Sequence, residues 1–295
     1  MAYKIIPEYC IFTDATADFS EDMMVDLPRV RVVPMTVSVD DDAFLYGPKG
    51  NLSARQFYGM QRQGKFASTS QINEAAYRAA FEDALREGRD VLYLGFSSGM
   101  SGTLNAARLC METLRPMYPQ RRLISVDTLC ASVGEGFLVR EAARMQYAGM
   151  GIEELAAWVG ENRLKVCHWF TVDTLEHLRH GGRISPAAAA VGSMLSIKPL
   201  LHVDREGRLQ VVKKPRGRRR AIAEQVACIK GGWTPEVSPL VVIGHGDDDE
   251  GARMLREAVL RQLPQADVHI ADIGPIIGAH TGPGMLALIY WGNNR

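Results

Sequence analysis

Val91-Leu-Tyr-Leu-Gly-Phe-Ser-Ser-Gly-Met-Ser-Gly-Thr103 is the stretch on which the fold turns. Four strand-forming residues, Val91 to Leu94, run into Gly95 and a loop of hydroxyls and glycines. Leu104-Asn-Ala-Ala-Arg-Leu-Cys-Met-Glu-Thr-Leu114 then repeats its apolar positions at helical spacing. A strand, a small-residue loop and a helix start together make an anion site, because free N–H groups and the helix dipole both favour negative charge. The plainer alternative is a βα turn whose small residues only serve tight packing.

Upstream, Tyr9 to Thr13 reads as a buried strand that ends in the polar loop Thr13-Asp-Ala-Thr-Ala-Asp18. Ser20 is placed to cap a short helix through Leu27. Val30–Val33 and Met35–Val39 are β-rich pieces hinged at Pro34, and Asp40-Asp-Asp42 is a turn, since adjacent residues of an extended chain cannot converge on one metal ion. Ser53-Ala-Arg-Gln56 has the form of a capping box and opens a helix to about Gln63. Phe66-Ala-Ser-Thr-Ser-Gln71 is a second hydroxyl cluster, expected in a loop. Asn73 caps a helix from Glu74 to Glu87, stopped by Gly88.

Downstream, Arg122–Val126 is a strand ending in Asp127-Thr128, and Gly134–Tyr147 and Glu153–Arg163 are helices. Strands alternating with helices predict a parallel sheet covered on both faces. Ligands of such sheets bind beyond the carboxyl ends of the strands, where Asp14, Ser97, Ser98 and Asp127 all fall.

The second half differs. Val166–Val172 is a strand, followed by a helix from Thr174 to about His180 and then Gly181-Gly-Arg-Ile184. Ile197–Val203 and Leu209–Lys213 form a hairpin around a glycine-bearing turn. Helices are predicted over about Arg218–Lys230 and Glu250–Leu263, with strands at Leu240–Gly244, Val268–Ala271 and Met285–Tyr290. The expected fold is therefore an N-terminal parallel-sheet α/β/α domain, residues 1–165, and an α+β domain with a mixed sheet, residues 166–295.

The net charge of zero provides no global field for nucleic acid or an anionic membrane. The one basic run, Lys213-Lys-Pro-Arg-Gly-Arg-Arg-Arg220, reads as a solvated strand end and helix start. Five scattered cysteines without C-x-x-C spacing fit neither a disulfide framework nor a zinc site, and suit a reducing compartment. No run approaches a membrane span and the N-terminus lacks a signal-peptide core, so a soluble cytoplasmic protein is expected, without stable membrane insertion.

Three motifs carry chemistry. Gly95-Phe-Ser-Ser-Gly99 matches G-x-S-x-G, which would make Ser97 the nucleophile of a serine hydrolase acting on acyl esters, with Asp127 or Asp173 and His280 as partners. Against this, Gly99 and Gly102 stand where the elbow's helix should already run, and an anion-wrapping loop explains them better. Gly278-Ala-His-Thr-Gly-Pro-Gly284 predicts a rigid loop that brings His280 and backbone close to a ligand. Arg183, after two glycines, could meet a carboxylate or phosphate, or satisfy a helix C-terminus.

Thr13-Asp-Ala-Thr-Ala-Asp18, Thr69-Ser-Gln71, Ser97-Ser-Gly-Met-Ser-Gly-Thr103, Leu178-Arg-His-Gly-Gly-Arg-Ile184, Ile197-Lys-Pro199 and His280-Thr-Gly-Pro-Gly284 occur in this order. The combination, covering about residues 9 to 291, resembles the DegV family, the fatty-acid-binding proteins of bacterial fatty acid kinase. One departure is Ile72-Asn73, where the family usually has Pro-Ser. The resemblance implies two α/β domains with a long-chain fatty acid such as palmitate, stearate or oleate in a buried tunnel between them. It places the carboxylate on Thr69, Ser97 and Ser98, with Arg183, His280 and Thr281 near it or near the docked kinase. It further implies a carrier without catalysis of its own or a metal. That carrier presents the acid to a separate ATP-dependent fatty acid kinase and takes the acyl phosphate to an acyltransferase; nucleic acid is not an expected partner. Burying about fifteen methylenes at roughly 0.8 kcal/mol each would dominate affinity. The stretch from Ala187 to Leu195, small and flexible, is suited to line such a tunnel or to form a core helix.

Overall fold

The computed structural model describes residues 8–19, 21–25, 30–185, 196–293 and 295. Ser20, the last two residues of the helix expected to follow it (26 and 27) and the stretch Ala187–Leu195 lie outside them; a 3-10 turn spans Glu21–Met24.

Strands β1 (Tyr9–Asp14), β2 (Arg31–Val33), β6 (Asp90–Gly95) and β7 (Leu123–Asp127) form a parallel sheet in the order β2-β1-β6-β7. All six residues of β1 are buried, as an apolar strand covered on both faces must be. Its alternate faces meet different partners. Leu92 and Leu94 of β6 share a core with helices α4 (Val133–Tyr147) and α5 (Ile152–Asn162). Val91 and Tyr93 pack with α2 (Glu74–Arg86) and α3 (Thr103–Leu114). The Asn73 side chain accepts the Ala76 N–H and caps α2, while Gly88 at φ +75° ends it.

Pro34 turns the chain out of this sheet into a small antiparallel one, in the order β4-β3-β5. Strand β3 (Met35–Val39) pairs with β4 (Asp42–Tyr46) and β5 (Ala67–Thr69). Asp40 and Asp41 of the acidic triplet form the turn, with Asp40 at φ +53°, while Asp42 opens β4. The hydroxyl cluster at Phe66–Gln71, however, is not all loop. Ala67, Ser68 and Thr69 pair with β3, whose buried face supplies the partners that a polar triplet cannot advertise by itself. The capping box at Ser53 is present and opens α1 (Ala54–Arg62).

A second large sheet has the order β10-β9-β8-β13-β11-β12. It comprises β8 (Val166–Thr171), β9 (Leu200–Val203), β10 (Leu209–Lys213), β11 (Leu240–His245), β12 (Asp267–Asp272) and β13 (Leu286–Trp291). It is mixed: β11 and β12 run parallel and the other neighbours antiparallel. Helix α6 (Glu176–His180) follows β8. Helices α7 (Arg218–Gly232) and α8 (Asp249–Gln262) cover the outer face through Val226, Ile229, Leu255 and Val259. Helix α4 packs on the inner face, so it lies between the two large sheets. The basic run behaves as a strand end and helix start: Lys213 pairs with Glu224, and Arg218 with Asp173 and Asp248. No helix among the described residues is long and apolar enough to cross a membrane.

Candidate functional site

Helix α9 (Pro275–Thr281) positions the site. The glycines from 278 to 284 predict a loop, but His280 stands in the last turn of this helix. Gly278 is required there by packing: a Cβ on it would lie 2.6 Å from the Tyr58 hydroxyl. The chain turns only afterwards, at Gly282 and Gly284, whose φ values of +74° and +78° favour glycine.

Alongside α9 runs an apolar cavity between the two sheets, partly open to solvent, with about 760 Å³ of empty space including its mouth. Its walls come from both halves of the chain. Phe170, Val203, Leu209, Ala287 and Ile289 line it from the mixed sheet, Ile276 and Ile277 from α9, and Phe96 and Met100 from the loop after β6. Polar groups gather at one end, where Thr69, Arg183, His280 and Thr281 all line it. No carboxylate is among its described lining residues.

Thr69 Oγ1 lies 2.9 Å from His280 Nε2. Burial first, and then the neighbouring Arg183, His177 and His180 charges, push the His280 imidazole down to about 4, so it is neutral at physiological pH. Its Nδ1 has no partner among the described residues and faces Gly181, where a Cβ would approach it to 2.1 Å. Arg183 follows the end of α6 and donates to the Gly181 carbonyl, so it both closes the helix and faces the cavity. Thr281 donates to Ile277 O at 3.1 Å.

Ser97 and Ser98 are not brought to this cavity. The Ser97 hydroxyl, fully buried, donates to Gly207 O at 2.7 Å and accepts the Gly99 N–H at 3.2 Å. Ser98 is exposed, and its N–H is held by Asp127 Oδ1 at 3.2 Å. The loop and the hairpin turn interlock: a Cβ on Gly99 would lie 2.5 Å from Glu206 O, and one on Gly207 would lie 2.1 Å from Ser97 Oγ. Ser101, further along the same loop, is the serine that lines the cavity. The would-be triad is dispersed as well. Asp127 holds backbone, Asp173 pairs with Lys198 and Arg218, and His280 meets Thr69.

Thr16 and Ser132 also line the cavity, each tied to buried carboxyls behind it. Thr16 Oγ1 is 2.5 Å from Asp14 Oδ1 and 2.8 Å from Glu135 Oε2. Thr13 and Tyr93 donate to the far oxygens of the same two carboxyls. One Thr16 proton cannot serve two acceptors, so one carboxyl must supply its own. Burial raises both carboxyls, and with the Asp14 charge beside it Glu135 is held well above the ordinary range. Asp18 accepts from Ser132 Oγ at 2.7 Å and from the Gly274 N–H, just ahead of α9, at 2.9 Å. Burial raises Asp18 to about 7. Asp14 was legible as a strand-end carboxylate, but Thr16, Ser101 and Ser132 carry no distinguishing signal beyond their place in hydroxyl-rich turns. Among the described residues, no cluster of histidine, cysteine and carboxylate side chains could hold a metal.

Residues 8–293 match the sequence profile described as "Uncharacterised protein, DegV family". A DegV domain-containing protein of Clostridium perfringens is 38% identical over 98% of this chain and 99% of its own. A DegV family protein from Thermus thermophilus, whose structure is described for its fatty acid binding, superposes with a TM-score of 0.83 at 28% identity, covering 97% of this chain and 99% of that one. The fatty acid kinase B3 protein of Streptococcus pneumoniae, loaded with linoleic acid, shares the fold at TM-score 0.85 and 20% identity, over 97% of this chain and 99% of its own. On its sequence and its two-domain fold, the chain belongs to the DegV family.

Proposed function

We propose that this protein binds a long-chain fatty acid, with the acyl chain in the cavity beside α9 and the carboxylate at its Thr69–His280 end. The observation that carries this reading is the cavity's lining, mostly apolar, with Thr69 and Arg183 grouped beside His280 on it. A lining without carboxylates suits an anionic head, and Arg183 adds a positive charge there. Neutral His280 can donate from Nε2 to Thr69 Oγ1, which leaves the Thr69 proton for the ligand carboxylate. The Thr69 hydroxyl orients the head by a single hydrogen bond, without holding it as a bidentate ion pair would. The Thermus thermophilus relative, described as binding fatty acid, supports the ligand class.

The carboxylate contacts proposed on Ser97 and Ser98 are indirect in this geometry: these residues fix the loop that carries Ser101 and Met100 to the cavity. The domain boundary at 165/166, which rests on the change of element pattern there, completes the proposal. So do a carrier role without turnover, presentation of the acid to an ATP-dependent fatty acid kinase and passage of the acyl phosphate to an acyltransferase, which rest on the six-motif family resemblance. Native mass spectrometry of the purified protein tests the core of it. A bound long-chain acid, or its uptake when offered, is expected; a protein that takes up none would sink the reading.

A further inference from the structure

One wall of the cavity is a ladder of cross-strand pairs. Strand β13 runs antiparallel to β8, with Ala287 opposite Phe170, Ile289 opposite His168 and Trp291 opposite Val166. Met285 and the first two pairs line the cavity, and the third does not. Trp291 is instead buried in the core, where its ring stacks on Phe137 and Trp158 at centroid distances of 6.1 and 5.7 Å. The polar end lies on the Met285 side, since the turn after Thr281 leads straight into β13. From Met285 to Ile289 is about 14 Å of strand.

His168 is a fixed wall. Its Nδ1 sits 2.9 Å from Val166 O, and its Nε2 accepts the Ala131 N–H at 3.3 Å, so both nitrogens are committed to backbone. A Cβ on Gly134 would lie 2.0 Å from Nε2, so α4 presses on the ring from the other side. Burial, chiefly, keeps the imidazole neutral. With no hydrogen-bonding capacity left over, the ring offers a ligand only its shape.

We propose that the His168–Ile289 pair, backed by Trp291, is the floor of the acyl cavity and sets the longest straight chain that the protein takes. The proposal rests on the fatty-acid reading above and gives it a length limit. Trimming either side chain deepens the cavity, and each further methylene buried is worth roughly fourfold in affinity.

The test is competition. Wild type, Ile289→Ala, Ile289→Phe and His168→Ala are each offered an equimolar series of straight saturated acids from dodecanoic to docosanoic, and the bound acids are weighed by native mass spectrometry. Ile289→Ala should raise the bound ratio of eicosanoic to hexadecanoic acid by roughly fifteenfold, the worth of about two methylenes. Ile289→Phe should shift the distribution to shorter chains. Loss of the Ala131 N–H acceptor could unfold His168→Ala, and Ile289→Val then provides a smaller shift in the same direction as Ile289→Ala. Fully loaded variants with the wild-type chain distribution would overturn the floor while leaving fatty acid binding intact. A wild type that holds none of the acids would overturn the binding reading itself, and the floor with it.

Discussion

Thr69 Oγ1 and His280 Nε2 meet at 2.9 Å although 211 positions separate them in the chain. The small β4-β3-β5 sheet delivers the first and helix α9 the second, and the two pack together through Val37, Ile276 and Ala279. The polar end of the cavity thus exists only where an excursion from the first half touches the last helix of the second.

Replacing Thr69 with valine keeps the shape and removes the hydroxyl. Fatty acid affinity should fall by no more than about 1.5 kcal/mol, the usual worth of one hydrogen bond. If the proposed kinase partnership holds, phosphorylation of the bound acid should fall by roughly a hundredfold, because a misplaced reacting group is costly. Displacement titration and a phosphoryl-transfer assay measure the two separately. Equal losses would show that Thr69 holds the ligand more than it aims it.

Ser97→Ala should act on stability. It strips the Gly207 carbonyl of its buried donor, at a cost of about 1–3 kcal/mol in denaturant unfolding. Fatty acid content should be nearly unchanged, and a fluorophosphonate probe should leave the wild-type serine unlabelled. Rapid stoichiometric labelling of Ser97 would restore the hydrolase alternative.

Gly181 has an ordinary negative φ of −74°, so a larger residue there meets no backbone strain. Gly181→Ala nevertheless places a methyl about where His280 Nδ1 now packs, 2.1 Å from it. Displacement of the imidazole should follow, visible as a shifted His280 ring resonance and weaker ligand retention. An unshifted resonance would mean that the helix end yields instead.

Two buried groups give opposite pH slopes. Asp18, raised to about 7 from 3.8, keeps in the folded chain a proton that the unfolded chain releases. Its contribution to stability is therefore full below pH 3.8 and is lost as pH rises through about 7. His280, lowered to about 4 from 6.5, does the reverse: the unfolded chain takes up the proton first, so stability is lost as pH falls from 6.5 to 4. Each effect is on the order of 1 kcal/mol per pH unit within its window. Asp18→Asn still accepts from Gly274 and can donate to Ser132, so its melting temperature relative to wild type should rise from pH 5 to pH 8. His280→Gln should compare better with wild type at pH 5 than at pH 7. Parallel melting curves would contradict both assignments.

The parallel sheet, the mixed sheet and the capped helices could be read from the sequence because each is dictated locally, by apolar period and by capping residues such as Ser53 and Asn73. The β4 strand and the Ala67–Thr69 strand could not, because their pairing depends on β3, whose position follows from the turn at Pro34. The glycines around His280 looked like loop residues. One of them, Gly278, is helical and small because Tyr58 and Phe57 press on it from α1, a contact no local pattern announces. Thr69, Arg183, His280 and Thr281 were legible as motif residues and do share one cavity. Ser97 and Ser98 sat in an equally suggestive motif, and only the hairpin turn at Gly207 reveals that the loop's first serine faces away.

The mutual fit of Gly99 and Gly207 has a bearing on how such chains can be recombined. The room a Cβ on Gly99 would need is filled by the Glu206 and Gly207 carbonyls, and that of Gly207 by the Ser97 hydroxyl, although the loop lies in the first half and the turn in the second. A chimera joining the first half of one family member to the second half of another inherits one side of this fit from each parent. Its folding should depend on whether the loop and the hairpin turn come as a matched pair in length and residue size. Insertions in the turn should be tolerated only alongside changes in the loop, so the two segments would drift together through evolution, each acting as a template for the other.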